Sequence, residues 1–281
     1  GRKKHWTVTA SVSTKDRYQT TLPLALSAII NQTHKPDKLK IYDDGEQKDL
    51  REVSPFEGLL KLAGDKGIDW EIVHTPRLGQ VSNHQHCLDN ATTDFIWRVD
   101  DDEIPEPNCL EVLLNTVRDY GKGGEMDRIG AVGGLVHHPA QVSPLPPQVN
   151  GTLQDVARQL NLQWFSWNGS VREVEHLYST FMYSVPAARE AGGYPKDLSP
   201  VGHREETIFS HQLKRAGYKI LVTPYTKTYH LRESSGGIRS FNDNSMWEGD
   251  ELVFQRYLNA WNIKLDETKL IVCDFGLGDH L

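Results

Sequence analysis

Apolar runs that stop at polar turns, each followed by a segment of helical spacing, repeat along the first part of the chain and limit its fold more than any other feature. Trp6 to Val12 is rich in β-formers, and in Tyr18 to Gln32 the apolar residues Leu22, Leu26, Ile29 and Ile30 recur at helical spacing. Lys38 to Tyr42 reads as a second strand closed by the turn Asp43-Asp44-Gly45, with a second helix over Lys48 to Leu62. Glu71 to His74 is a third short strand, Val81 to Asn90 a helix, and Phe95 to Val99 a strongly apolar strand that runs into Asp100-Asp101-Asp102. Such alternation predicts an α/β fold with a mainly parallel, Rossmann-like sheet flanked by helices, in which ligands sit at the carboxyl ends of the strands. The acidic turns fall at that edge.

A helix over Cys109 to Tyr120, a loop over Gly121 to Met126 and a strand over Ile129 to Val136 continue the pattern, and Pro139 to Pro147 is a proline-rich excursion. The order is then less regular, with a strand over Ser179 to Val185, a helix over Glu205 to Ala216 and a strand over Ile220 to Thr223 leading to His230. With 281 residues, 38% hydrophobic and 25% charged, the composition is that of a soluble globular protein with a sizeable core. No apolar run approaches the roughly 20 residues of a membrane helix. A formal net charge of −7 argues against a broad nucleic-acid-binding face. Cys87, Cys109 and Cys273 are far apart and lack CxxC spacing, which predicts neither a disulfide framework nor a thiolate metal site. No secretory signal is visible at the N-terminus, so a cytoplasmic location is expected, and the sequons beginning at Asn31, Asn90, Asn150 and Asn168 are read as chance.

Adjacent carboxylates at a strand end repel one another unless a cation neutralises them. Oxygen ligands suit a hard divalent ion, Mg²⁺ or Mn²⁺, and the run lacks the glycine spacing of a calcium loop. Three consecutive aspartates alone fit a solvated turn equally well. Thr14 alone reads as an ordinary turn hydroxyl and Asp44 as a turn-former before Gly45. Their joint placement at strand ends is what raises them above those readings.

Three strand-end turns carry a family pattern: Ser13-Thr14-Lys15-Asp16-Arg17, Ile41-Tyr42-Asp43-Asp44-Gly45 and Val99-Asp100-Asp101-Asp102. It continues with Gly192-Gly193-Tyr194 and with Arg204-Glu205-Glu206-Thr207, which heads a helix closing at Arg215-Ala216-Gly217-Tyr218. Together these resemble the family 2 nucleotide-sugar glycosyltransferases of the GT-A fold, over residues 6 to 235. The resemblance implies a metal-dependent, inverting, hexosyltransferase-type enzyme that moves a sugar from a nucleotide diphosphate sugar, a UDP-sugar first, to a hydroxyl of a glycan, lipid-linked or other acceptor. It places Thr14 and Asp44 beside the nucleoside base, Asp100 near the ribose, Asp101 at the variable middle of the Asp-x-Asp motif, and Asp102 on the Mn²⁺ or Mg²⁺. His230 stands where such enzymes supply a histidine ligand. Glu206 matches the general base, although relatives often carry Glu-Asp where this chain has Glu205-Glu206, which leaves open which glutamate faces the acceptor. By its own residues the segment from Glu233 to Arg239, with Arg232 before it, suits a lid over the diphosphate, a plain surface loop being the alternative.

The chain departs from the pattern at Gly79 to His86, where relatives often have an Ala-Arg-Asn triplet; His84 falls near that place, and Arg77 is the alternative cation for the phosphates. Trp164, Phe165 and Trp167 fit either an acceptor-stacking face or a core. A nucleotidyltransferase of related fold is a rival, disfavoured because the turn after the first strand lacks glycines; a non-catalytic nucleotide- or glycan-binding module is another. Lys269 to Phe275 followed by Gly276-Leu277-Gly278-Asp279-His280 resembles the start of a GT-B, heptosyltransferase-like domain, an extra edge strand being the plainer alternative. The expected organisation is a GT-A domain over 1–262, with a nucleotide-sugar-binding half over 1–107 and an acceptor and catalytic half over 108–262. Residues 263–281 are then a linker and the first strand of a second, catalytic domain of the full-length chain.

Overall fold

The computed structural model describes residues 5–46, 49–75, 78–122, 128–238 and 244–265. In the first half the chain runs β1 (Val8–Thr14), α1 (Leu22–Ile30), β2 (Lys38–Asp43), α2 (Phe56–Asp65), β3 (Asp69–His74), α3 (Gln80–Asp89), β4 (Phe95–Arg98), β5 (Glu103–Pro105) and α4 (Cys109–Tyr120). The second half adds β6 (Ile129–His137), β7 (Ser143–Pro144), α5 (Leu153–Ala157), β8 (Phe165–Ser166), β9 (Arg172–Val174), β10 (Phe181–Ser184), α6 (Val185–Glu190), α7 (Glu205–Arg215), β11 (Lys219–His230) and α8 (Asn244–Ala260).

Eight strands lie in the order β3-β2-β1-β4-β10-β6-β11-β5, with β9 joining β11 from the side. The pairs β1–β2, β2–β3 and β1–β4 are parallel, as the alternation of elements requires. β10 enters antiparallel between β4 and β6, and β5 pairs antiparallel with the end of β11. On leaving β1 the chain builds outward through β2 and β3 and then returns to place β4 on the other side of β1. The crevice at the carboxyl ends of β1 and β4 is therefore a topological switch point.

Alternation along β1 sends Val8, Ala10 and Val12 into one core, where they meet Leu22, Leu26, Ile29 and Ile30 of α1 and Leu110, Leu113 and Leu114 of α4. On the opposite face Cys87 and Leu88 of α3, Ala187 and Ala188 of α6 and Phe209 and Leu213 of α7 form a second core. Burial of each valine, leucine, isoleucine or phenylalanine among them contributes about 1.5–3 kcal/mol. A smaller cluster joins Val156 of α5, Ile208 of α7 and Phe254 and Leu258 of α8, which fixes the last helix against the middle of the chain.

Two helices differ from their sequence reading. The first helix begins only at Leu22, with Pro23 in its first turn, where a missing N–H costs nothing. The segment expected to be one helix from Lys48 divides into a 3₁₀ turn at Leu50–Glu52 and α2, which starts after Pro55. No helix among the described residues is long and apolar enough to cross a membrane. The strand expected over Lys269 to Phe275 lies outside the described residues.

Candidate active site

The switch-point crevice opens into a cleft of about 820 Å³ that gathers residues from the β1 turn, the acidic run after β4, the start of α7 and the segment after β11. Its acidic centre is built by the sheet. His230 pairs with Glu103 in the β5–β11 ladder, and the Leu231 N–H donates to the Asp102 carbonyl at 2.9 Å. This brings His230 Nε2 to 3.1 Å from Asp102 Oδ2 across 128 residues of sequence. Burial works against a charged His230 ring, but the hydrogen bond to Asp102 and the charges of Asp102, Glu103 and Asp100 outweigh it and raise the imidazolium to about 9. Asp102 is held below the usual carboxylate range: burial opposes this, and the hydrogen bond and charge of His230 and the charge of Arg17 overcome it.

The other acidic residues have separate surroundings. Asp101 receives the Thr14 hydroxyl at 2.8 Å and Arg17 Nη1 at 2.6 Å, and burial, moderated by Arg17, raises its carboxyl to about 6. Asp100 accepts from the Ser179 hydroxyl at 2.8 Å. Glu103 is fully buried and bonded by the hydroxyls of Ser179 and Thr180; burial, with the nearby charge of Asp100, pushes it up to about 8. Asp102, Glu103 and His230 each offer a ligand atom, all within 4.8 Å of one another. Two carboxylates and an imidazole form a donor set that suits Mn²⁺ or Mg²⁺, so the residues present fit such an ion. Glu103 is turned toward Ser179 and Thr180, whereas Asp102 and His230 line the cleft.

The two glutamates at the start of α7 are separated by one ion pair. Arg98 lies in β4, is almost fully buried, and donates to Glu205 from Nη1 at 2.8 Å and Nη2 at 2.5 Å. Both glutamates line the cleft, but the Glu205 carboxylate is taken up by Arg98. The Arg98 Nε–H further donates to the Ser179 carbonyl at 3.0 Å, so the arginine joins the glutamate helix to the segment that holds Asp100. Arg204, just ahead, is left-handed with φ 68°, which sets the turn into α7.

Thr14 and Asp44 stand at the ends of adjacent parallel strands, with the Asp44 N–H donating to the Thr14 carbonyl at 2.9 Å. The Asp44 carboxylate is fully buried and receives the Thr75 hydroxyl at 2.6 Å, the Gly79 N–H at 2.8 Å and the Asn83 amide at 3.1 Å. It thus ties the N-terminus of α3 to β2. Gly79 has φ 89°, and a Cβ there would sit 2.7 Å from the Pro200 carbonyl oxygen, so only glycine fits this turn. His84 lines the cleft and stacks on Tyr194 at 5.3 Å. Arg77 lies outside the described residues.

Arg232 has φ 53° and lines the cleft, and the segment after it crosses to the β1 turn. Arg17 Nη2 donates to the Glu233 carbonyl at 2.9 Å and Nε to the Ser235 carbonyl at 3.3 Å, while the Gly237 N–H donates to the Lys15 carbonyl at 2.6 Å. Arg17 therefore links the acidic centre to a strap over its mouth. Sequence reasoning passed over Arg17, Arg98 and Glu103 as site residues. The available signal for Arg98 was a lone charge in an otherwise apolar strand. Phe165 is buried, and Trp164 and Trp167 pack against the second core, so the core alternative holds for that aromatic cluster.

The sequence profile described as glycosyl transferase family 2 matches residues 10–176, more than half of the chain. The chain belongs to this family. No curated protein sequence matches it. Among solved structures, residues 1–349 of S. aureus TarS in complex with UDP-GlcNAc are similar with a TM-score of 0.60 and 15% identity, covering 94% of this chain and 70% of that one. GalNAc-T7 with UDP, GalNAc and Mn²⁺ gives a TM-score of 0.56 at 14% identity, covering 80% of this chain and 44% of that one. The mannosyltransferase PcManGT from Pyrobaculum calidifontis with GDP-Man and Mn²⁺ gives 0.51 at 14% identity, covering 83% and 61%. At these identities the likeness concerns the fold, which is GT-A. This family 2 glycosyltransferase thus carries its acidic run and its α7 glutamates at the switch point that the fold provides.

Proposed function

We propose that this family 2 glycosyltransferase moves a sugar from a nucleotide diphosphate sugar, UDP-linked first, to an acceptor hydroxyl, with metal dependence and inversion of the anomeric centre, and that residues 1–262 form its catalytic domain. One observation carries the reading: the Asp102–His230 pair and Glu206 line the same cleft, and of the two α7 glutamates there it is Glu205 whose carboxylate Arg98 binds through both terminal guanidinium nitrogens. The donor nucleotides named for solved relatives, UDP-GlcNAc and GDP-Man, support a nucleotide-sugar donor.

Asp102 and His230 would hold Mn²⁺ or Mg²⁺, which when bound supplies positive charge beside the diphosphate leaving group. Thr14 and Asp44 shape the base side through the β1 and β2 turns, and Asp100 faces the ribose. Arg232, at the root of the strap, adds charge toward the phosphates, and the strap excludes water from them. Glu206 takes the proton of the acceptor hydroxyl as that oxygen bonds the anomeric carbon, and the bond from this carbon to the phosphate oxygen breaks on the opposite face. Attack opposite the leaving group inverts the configuration.

A thermal-shift screen of UDP-, GDP-, dTDP- and CMP-sugars with and without Mn²⁺ tests the donor. Stabilisation by one of them that requires the metal, with turnover stopped by EDTA, is the expected result; stabilisation by none overturns the proposal. Glu206→Gln should leave donor binding intact and lower turnover by about 10²–10⁴-fold, and retained turnover would remove Glu206 from the base role.

A further inference from the structure

Two aromatic rings line the same cleft as Glu206, Tyr178 from the segment before β10 and Trp247 from the first turn of α8, and both are half-buried. Trp247 packs against His203 with ring centroids 5.0 Å apart, and His203 lies three residues ahead of Glu206. Tyr178 is backed edge-on by Trp164 at 5.5 Å, and its N–H donates to Gln163 Oε1 at 2.7 Å. Each ring is therefore held by a second ring before any ligand arrives, which lowers the entropy cost of binding against it. The same cleft is also lined by the polar side chains of His138 and Gln141 from the segment after β6 and Gln80 from α3.

The start of α8 is tied directly to the catalytic helix. Asp250 is buried, and its carboxylate accepts the Ser199 N–H at 2.7 Å, the Ser199 hydroxyl at 2.8 Å and the His203 N–H at 2.9 Å. Glu251 receives His203 Nε2 at 2.8 Å and Arg204 Nε at 3.2 Å. The helix that carries Trp247 thus grips the segment that delivers Glu206, and ring and carboxylate are fixed in one frame.

We infer that the acceptor is a saccharide and that its ring packs on Trp247 and Tyr178 while one of its hydroxyls meets Glu206; this rests on the glycosyl-transfer reading above. A pyranose presents apolar C–H faces and a hydroxyl edge, which match aromatic faces set among hydrogen-bonding side chains. A lipid chain needs a continuous apolar wall, and the aliphatic side chains of the described lining are only Leu231, Ile238 and the latter is nearly buried.

Saturation-transfer NMR on the whole chain with methyl β-glucoside, methyl β-galactoside and methyl N-acetyl-β-glucosaminide, in the presence of UDP and Mn²⁺, tests the inference, with glycerol 1-phosphate and octyl phosphate as comparison probes. At least one glycoside should receive saturation on its ring C–H protons and bind more tightly than either phosphate. Trp247→Ala should weaken that binding by about tenfold, and Trp247→Phe should restore most of it, since stacking needs a ring face. Tyr178→Ala should weaken it as well, and the thermal shift produced by UDP with Mn²⁺ should stay the same in all variants. Preference for either phosphate probe, absence of glycoside binding, or unchanged glycoside affinity in Trp247→Ala and Tyr178→Ala overturns the inference. If none of the UDP-, GDP-, dTDP- and CMP-sugars with Mn²⁺ stabilises the wild-type chain, the donor reading fails; if one of them does and no glycoside binds, only the acceptor assignment fails.

Discussion

Replacing Arg98 with methionine should be among the most damaging single changes that leave every cleft carboxylate in place. Arg98 and Glu205 are 2% and 1% exposed at their side chains, and their fork of 2.5 and 2.8 Å bonds is closed off from water. With charge centres near 4 Å and an effective dielectric of about 20, the attraction is about 4 kcal/mol, most of which offsets the cost of burying both ions. Removing one partner leaves the other charge buried without compensation, which costs about 3–5 kcal/mol. Arg98→Met also vacates the Ser179 carbonyl, the Tyr194 hydroxyl at 3.3 Å and the face of Phe181, 4.9 Å from the guanidinium carbon. Adding Glu205→Gln removes the stranded charge, so the double variant should recover about 2 kcal/mol relative to the sum of the two single losses. Urea unfolding at pH 7, followed by tryptophan fluorescence, measures all three variants. A loss below about 1 kcal/mol for Arg98→Met, or strict additivity in the double variant, would refute the account of this pair as the element that separates Glu205 from Glu206.

Three further predictions concern the metal, the strap and pH. Asp102→Asn should abolish the stabilisation that Mn²⁺ gives, which at a hundredfold excess over Kd amounts to about 2.7 kcal/mol, while leaving the metal-free melting temperature within a few degrees; an unchanged Mn²⁺ effect in a melting titration would count against Asp102 as ligand. At Gly236, with φ 67°, a Cβ would sit 2.4 Å from the Asp16 carbonyl oxygen, so Gly236→Ala should push the strap off the β1 turn and raise the donor KM about tenfold, as initial-rate kinetics would reveal. His176 is buried and pushed down to about 3, chiefly by burial and then by the charge of Arg204. Its folded value lies below the unfolded value, so the unfolded chain takes up the proton first and stability falls as pH drops from about 6.5 toward 3, by at most about 1.4 kcal/mol per pH unit from this group. His176→Leu should flatten that slope in urea titrations between pH 6 and pH 4, and an unchanged slope would show that other groups carry it.

The alternation of periodicities and the polar turns that punctuate it were enough to predict a mainly parallel sheet and to put Thr14, Asp44 and Asp100 to Asp102 on one edge. That is because strand and helix spacing are local properties and the ends of parallel strands share an edge whatever else the chain does. The position of β10 was not readable. An antiparallel strand between β4 and β6 depends on contacts with residues far away in sequence, and it is this strand's leading segment that places Ser179 against Asp100 and Arg98. The division of labour within the glutamate pair was equally closed to sequence reasoning. Glu205 and Glu206 have the same chemistry, and the guanidinium reaching over from β4 binds Glu205.

The acidic run shows the same boundary. Its sequence determined that several carboxylates would share a strand end and need a cation nearby, since like charges at that spacing repel. Tertiary structure decided which partner each one meets: Arg17 for Asp101, His230 for Asp102, and for Glu103 two hydroxyls in a buried pocket. Those partners come from the turn after β1, from β11 and from the approach to β10, segments that only sheet pairing brings together. A carboxylate's charge is written in the sequence, but its burial and its neighbours, which set what it can do, are fixed by the fold.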